Sequence, residues 1–245
     1  DLTYLAHDAV FAQSLGGRTS AYLVKPKDAK AGSSAGVLFV HWLGSPNGGK
    51  KEFLEEAIDL AKQGVISLLI QGNIPWMRQF VFDERDITGV QQQVIEMRRA
   101  LDFLASQPEV DKNRLALVGH DYGGMYAGIF SAIDSRPKTI VIVAAVPRFG
   151  DWAGYYNEKA DDVNNLMADI QPIDFVGKAK GVAFLFQFGE QDSFVSKNLA
   201  QTFFDAASEP KEIRFYSATH AMSIDEARED RSDWLDKHLG LNQAP

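Results

Sequence analysis

The sequence contains no cysteine among its 245 residues. A disulfide scaffold, a thiolate zinc site and a cysteine nucleophile are therefore excluded. Positive charge is also scarce, because 33 acidic residues outnumber 25 basic ones and leave a net charge of −8. An acidic chain attracts neither a nucleic-acid backbone nor an anionic membrane, so we expect neither as a partner.

Long apolar runs are missing too, since no stretch approaches the roughly 20 residues that a transmembrane helix needs. With 45% hydrophobic residues, the chain still has an ordinary globular composition. Its length is typical of one soluble domain, which we expect to span residues 1–245. The chain begins at Asp1 rather than Met, which indicates a trimmed leader. The compartment stays open between the cytoplasm and a secreted or periplasmic location after processing, and the oligomeric state is not indicated.

Apolar periodicity predicts strands that alternate with helices. After a hairpin (9–15 and 19–24), the predicted strands are 36–41, 65–70, 114–119, 139–146, 181–188 and 211–217, and the predicted helices are 50–63, 87–107, 123–133, 195–208 and 223–239. Such alternation implies a mostly parallel sheet covered by helices on both faces. Residues 71–86 are expected to be an irregular loop, and residues 147–180 a short lid-like excursion.

Residues at the carboxyl ends of the strands carry the functional prediction, because parallel sheets bind ligands there. The strand ending at residue 118 leads into GHDYGG at residues 119–124, and a helix follows. This pattern is typical of a nucleophile elbow, which presents its central residue, here Asp121, in a strained turn. Later strands are followed by Asp192 and His220. The order nucleophile, acid, histidine is that of a hydrolase triad.

An oxyanion hole is predicted beside this turn. Its donors would be the backbone amide of Tyr122, directly after the elbow residue, and that of Trp42 or Leu43 after the first buried strand. Two other histidines, His41 and His120, are expected to be buried structural groups, with His120 packed beneath the elbow.

On these motifs the sequence resembles dienelactone-hydrolase-like and prolyl-oligopeptidase-like α/β-hydrolases. The resemblance covers roughly residues 20–240, and its specific segments are 110–124, 189–192 and 219–221. It implies an α/β-hydrolase fold with a short lid, a small-molecule substrate and no cofactor.

Asp121 departs from that family pattern, in which the elbow residue is serine or cysteine. Haloalkane dehalogenases, fluoroacetate dehalogenases and epoxide hydrolases use aspartate there. A carboxylate is already ionised at neutral pH, so Asp121 would attack an sp³ carbon and form an alkyl–aspartyl ester. His220, oriented by Asp192, would then activate the water that hydrolyses this ester. The hypothesis predicts a substrate with a carbon–halogen bond or an epoxide.

Two alternatives are open. In the first, the chain is a dienelactone-hydrolase-like carboxylic ester hydrolase scaffold whose elbow serine is replaced by Asp121, and it is inactive or acts as a binding module. In the second, residues 44–50 match the phosphate-loop pattern GxxxxGK. Lys51 then stands where Ser or Thr should ligate Mg²⁺, which disfavours this alternative.

The substrate is not determined by these motifs. Tyr122 stands where the dehalogenase pattern places a halide-binding Trp or Arg, and the adjacent Tyr155 and Tyr156 only partly match the paired tyrosines of epoxide hydrolases. The aromatic candidates for the walls of an apolar pocket are Trp76, Phe80, Phe149, Trp152, Tyr155 and Tyr156.

Overall fold

The computed structural model describes residues 4–12, 18–42, 49–72 and 83–241, except the side chain of Tyr156. Within these ranges one eight-stranded sheet comprises β1 (Tyr4–Ala12), β2 (Arg18–Pro26), β3 (Ser34–Val40), β4 (Ile66–Ile70), β5 (Val110–His120), β6 (Pro137–Val143), β7 (Ala183–Gly189) and β8 (Lys211–Tyr216). The strand order is β1-β2-β4-β3-β5-β6-β7-β8. The pairs β1–β2 and β2–β4 are antiparallel, and the remaining neighbours are parallel. This confirms the mostly parallel sheet and the antiparallel pairing of the predicted hairpin, although β1 begins at Tyr4 and residues 13–15 of the predicted first strand lie outside the described residues.

Helices cover both faces of the sheet, as predicted. In the described part of the chain they are α1 (Leu54–Lys62), α2 (Glu84–Ala105), α3 (Tyr122–Ile133), α4 (Ala160–Leu166), α5 (Ile173–Val176), α6 (Lys197–Ala206) and α7 (Asp225–Leu239). Apolar residues of α1 and α7 form one core with the sheet, and those of α2, α3 and α6 form the other. Because strands β3 and β7 lie between the two cores, every residue in them is buried. No helix of the described ranges has the length and apolarity needed to cross a bilayer.

Three elements begin at residues other than the predicted ones. Helix α2 begins at Glu84, three residues early, because the Asp83 carboxylate accepts a hydrogen bond from the Arg85 amide at 2.9 Å. Strand β5 begins at Val110 rather than at the predicted residue 114. The polar residues 111–113 belong to the strand although they lack the apolar pattern from which strands were predicted. Helix α1 begins only at Leu54, after a 3₁₀ turn at Gly49–Lys51.

The excursion at 147–180 is largely helical. It contains α4, α5 and 3₁₀ helices at Phe149–Tyr156 and Ala168–Ile170. Each piece has eight residues or fewer, which is too short for apolar periodicity to reveal. The segment connects β6 to β7 and brings Trp152 and Tyr155 to the carboxyl ends of the strands.

Candidate active site

Asp121 occupies the sharp turn between β5 and α3. Its backbone has φ 52° and ψ −114°, a conformation that costs a non-glycine residue on the order of 1–3 kcal/mol. The flanking glycines permit this turn. A Cβ atom on Gly119 would lie 2.2 Å from the carbonyl oxygen of Gly123, and one on Gly123 would lie 2.2 Å from that of Val40. The turn thus has the close packing and the strain that the sequence pattern predicts.

His220 and Asp192 come together from the loops after β8 and β7. The Nδ1 atom of His220 donates a hydrogen bond to Oδ2 of Asp192 at 2.8 Å. The other carboxylate oxygen of Asp192 accepts from the amides of Phe194 and Val195, at 2.7 and 3.0 Å. Both oxygens of Asp192 act as acceptors, so Nδ1 carries the proton and Nε2 is the ring nitrogen left to face a reactant.

The Nε2 atom of His220 faces Asp121, and it lies 3.7 Å from the Oδ2 atom of that side chain. Burial lowers the pKa of His220, but the carboxylates of Asp121 and Asp192 outweigh it and raise the pKa to about 9. Burial raises the pKa of Asp192, while His220 and the two backbone amides bring it below its usual value. The two neighbouring side chains therefore favour the protonated form of the His220 ring.

A cavity of about 280 Å³ adjoins Asp121 and His220. Its other walls are aromatic and consist of Trp42, Tyr122, Trp152, Tyr155 and Phe194. The rings pack on one another, with Phe194 centred 5.0 Å from Tyr155 and 4.9 Å from His220. Such a cavity suits the apolar part of a small molecule.

The aromatic residues singled out in the sequence lie in different parts of the structure. Trp152 and Tyr155 line the cavity, whereas Phe149 is buried in the hydrophobic core. Trp76, Phe80 and the side chain of Tyr156 lie outside the described residues. Sequence reasoning missed Phe194, although it follows the acid loop at a strand end, where functional residues gather.

The predicted oxyanion hole needs a correction at Trp42. The Trp42 amide donates to Oε2 of Glu52 at 2.8 Å, so this contact does not support a role in binding an oxyanion. Leu43 lies outside the described residues. The amide of Tyr122 belongs to the first residue of α3, where helix geometry points N–H groups along the axis toward the elbow. Its role as an oxyanion donor stays a prediction.

His41 and His120 are both buried. Nε2 of His41 accepts from the Gly72 amide at 2.9 Å, and Nδ1 donates to the Trp42 carbonyl oxygen at 2.5 Å. Burial lowers the pKa of His41 further than its partners raise it, which is consistent with a neutral structural ring. His120 precedes the elbow residue and bonds the backbone of His220, as expected for a residue beneath the turn.

The phosphate-loop alternative gains no support from the described residues. Positions 43–48 lie outside them, and the Nζ atom of Lys50 donates to the hydroxyl oxygen of Ser20 at 2.6 Å. Among the residues that the structure describes, no group of three or more His, Asp or Glu side chains is arranged to hold a metal ion.

The sheet order, the elbow after β5, and the acid and histidine loops after β7 and β8 define the α/β-hydrolase fold. Solved structures share it. The acetyl xylan esterase from Paenibacillus sp. R4 is 21% identical with a TM-score of 0.76, and the match covers 97% of this chain and 85% of that one. GrgF, an α/β-hydrolase from Penicillium sp. sh18, is 14% identical with a TM-score of 0.72 and coverages of 96% and 99%. Est1E from Butyrivibrio proteoclasticus is 14% identical with a TM-score of 0.72 and coverages of 95% and 99%. At these identities the likeness shows the fold.

Within this fold class, the sequence identifies the family to which the chain belongs. Residues 20–238 match the dienelactone hydrolase family, so the chain belongs to that family. It is a hydrolase of the α/β-hydrolase fold. A comparison with curated proteins returns no significant match.

Proposed function

We propose that this protein hydrolyses a small, largely apolar organic molecule through a covalent ester on Asp121. One observation carries the proposal: the elbow presents a carboxylate 3.7 Å from Nε2 of His220, whose Nδ1 bonds Asp192. Nucleophile, base and orienting group are then present without any cofactor.

In the first step an oxygen of the Asp121 carboxylate attacks an sp³ carbon. A carbon–oxygen bond forms and the bond to the leaving group breaks. A halide departs with the electron pair of that bond, whereas an epoxide oxygen keeps the pair and takes a proton from the imidazolium of His220. The imidazolium of His220 does not obstruct this step, because the attacking group is the carboxylate.

In the second step the ester on Asp121 is hydrolysed. Ester formation removes the negative charge of Asp121, so the pKa of His220 falls. After loss of a halide the ring releases its Nε2 proton to solvent, and Nε2 becomes available as a base. Nε2 takes a proton from water, and the hydroxide attacks the ester carbonyl carbon. The tetrahedral oxyanion collapses, and the alcohol leaves with the proton from Nε2. The carboxylic acid left on Asp121 passes its proton to Nε2, which restores the carboxylate and the imidazolium.

Carbon–halogen bonds and epoxides suit this site better than carboxylic esters. Attack by Asp121 on an acyl carbon gives a tetrahedral intermediate from which the carboxylate leaves more readily than an alkoxide. The reaction would therefore return to the ester. The aromatic walls add to the argument, since they offer contact area to an alkyl or aryl group beside the reacting carbon.

The comparisons with known proteins favour a second candidate function more directly than they favour the first. The family is that of the dienelactone hydrolases, one relative is an acetyl xylan esterase, and none of the relatives named above is described as acting on a halide or an epoxide. In this candidate Asp121 replaces the serine of a carboxylic ester hydrolase, and the scaffold is inactive or binds a ligand without turning it over.

Intact-mass spectrometry of the His220→Gln variant tests the first candidate. Without its base the enzyme should stall as a stable ester after exposure to haloalkanes, haloacids or epoxides. A haloalkane would add the mass of its alkyl group less one hydrogen, and an epoxide would add its full mass. Peptide mapping should place the adduct on Asp121, and the matched double variant Asp121→Asn/His220→Gln should remain unmodified.

The Asp121→Ser variant tests the second candidate. Turnover of activated esters by this variant, with none by the parent protein and no adduct on His220→Gln, would replace the first candidate with the second. An adduct on Asp121, with no gain of esterase activity in the serine variant, would establish the first.

A further inference from the structure

A chain of hydrogen bonds joins Glu52, His120 and the backbone of His220. Oε1 of Glu52 lies 2.5 Å from Nδ1 of His120, and Nε2 of His120 lies 2.9 Å from the carbonyl oxygen of His220. Oε2 of Glu52 accepts from the Trp42 amide at 2.8 Å. The ring of His120 is almost wholly buried, whereas the side chain of Glu52 is partly exposed.

The atoms in this chain determine where the hydrogens lie. A carbonyl oxygen only accepts, so Nε2 of His120 must donate to His220. One further hydrogen must then lie between Nδ1 of His120 and Oε1 of Glu52. Whether it sits on the nitrogen or on the oxygen, the pair holds two such hydrogens and has no net charge. The pair therefore adds no net charge beneath the imidazolium of His220.

The same pair contacts three loops of the candidate site. His120 directly precedes Asp121, His220 follows β8, and Trp42 follows β3. The Trp42 ring also stacks on the His120 ring, with centroids 5.3 Å apart and planes 4° from parallel. Trp42 in turn forms a wall of the cavity. The pair of Glu52 and His120 thus links the elbow, the histidine loop and a cavity wall.

We propose that Glu52 and His120 are positioning residues. They hold the His220 loop and the Trp42 side chain, which lines the cavity, at fixed positions relative to Asp121. The inference rests on the first candidate function, in which His220 acts as the base. A displacement of about 1 Å at a reacting group can cost on the order of 100-fold in rate, so loss of these bonds should be visible in turnover.

Two substitutions of Glu52 separate positioning from charge. In Glu52→Gln, the amide oxygen can accept from Trp42, and the amide nitrogen can donate to a neutral His120 that still bonds His220. Glu52→Ala loses both bonds. We expect kcat to fall on the order of 100-fold in the alanine variant with KM little changed, and to stay near the wild-type value in the glutamine variant.

A readout independent of substrate is the NMR titration of His220. The titratable groups around this ring are Asp121, Asp192 and His120. If Glu52→Ala releases the loop that carries His220, the His220 ring moves away from the two carboxylates. Its pKa then lies closer to the ordinary histidine value. The glutamine variant should titrate like the wild type. An unchanged His220 titration and unchanged kcat in a folded alanine variant would overturn the proposal.

The wild-type protein provides a further test, with Glu52→Gln as its comparison. Nitrogen-15 shifts of labelled histidine should show Nε2 of His120 protonated at pH 7, and the proton next to Nδ1 should resonate far downfield. Glu52→Gln should keep the first signal and lose the second. An unprotonated Nε2 on His120 in the wild type would overturn the proposal, because this atom could not then hold the His220 carbonyl.

Discussion

The Nε2 atom of His220 and the Oδ2 atom of Asp121 lie 3.7 Å apart, and both side chains are nearly excluded from solvent. The distance is that of an ion pair rather than of a hydrogen bond. Because Asp192 bonds the opposite ring nitrogen, His220 lies between two carboxylates that come from different strand ends. This arrangement controls the charge of the candidate base.

The Asp121→Asn substitution should lower the pKa of His220 from about 9. It removes one of the two carboxylates that raise this pKa and leaves the shape of the side chain nearly unchanged. Histidine NMR titration measures the effect, with Asp121→Glu as the matched variant that keeps the charge. If the pKa of His220 is the same in wild type and Asp121→Asn, the two side chains do not interact in solution.

The free energy of unfolding should fall as the pH rises from about 6.5 to about 9. The pKa of His220 is higher in the folded protein than in the unfolded chain. The stabilisation of the folded state by the protonated ring is therefore complete below pH 6.5 and is lost as the ring deprotonates in the folded protein. The loss amounts to at most about 3 kcal/mol. Urea denaturation across this range measures it. The His220→Gln variant should show a much smaller change, and an equal change would assign the effect to other groups.

Breaking the buried pair of Glu56 and Arg231 should destabilise the protein by about 3–5 kcal/mol. Nε and Nη2 of Arg231 donate to the two carboxylate oxygens of Glu56 at 2.9 and 2.7 Å, and Nη1 donates to Gln187 at 2.6 Å. Glu56→Ala leaves the guanidinium buried without its counter-charge. Urea denaturation provides the measurement.

A double variant and an exposed pair serve as controls for that prediction. Glu56→Leu/Arg231→Met replaces both charges with apolar groups and should cost less than Glu56→Ala alone. Asp59→Ala, which removes the half-exposed partner of Lys62, should change stability by less than about 1 kcal/mol. Equal losses for the buried and exposed pairs would contradict the prediction.

The Gly123→Ala substitution should destabilise the elbow by about 3 kcal/mol or more, because the added methyl group would meet the Val40 carbonyl oxygen at 2.2 Å. The obstacle is backbone, so no side-chain rotation relieves it. Thermal unfolding measures the loss. Gly154→Ala is the matched control, since nothing lies within 4 Å of its added methyl group. Similar melting temperatures for both variants would show that the turn is not tightly packed.

Much of the fold could be predicted from local patterns. The alternation of apolar strands and amphipathic helices indicated the parallel sheet, and glycines at 119, 123 and 124 indicated the sharp turn around Asp121. The ends of elements were less predictable. The carboxylate of Asp83 starts α2 early, and the short helices between β6 and β7 carry too few residues for a periodic signal.

The candidate site was predictable only in part. Asp121, Asp192 and His220 follow strands, so their order along the chain already placed them at one edge of the sheet. Glu52 lies in no recognisable motif, yet it binds both His120 and the Trp42 amide. The amide of Trp42, one of the two alternatives predicted for the second oxyanion donor, donates instead to Glu52, ten positions along the chain.

The sequence by itself determined the fold class, the position of the elbow and the presence of a carboxylate on it, because apolar periodicity, turn glycines and side-chain identity are local properties. Only the tertiary structure decided which groups surround that carboxylate. The pKa of His220, the aromatic walls and the Glu52–His120 pair depend on contacts between segments far apart in the chain. Their distances follow from how the two cores pack against the sheet, and no window of sequence contains them.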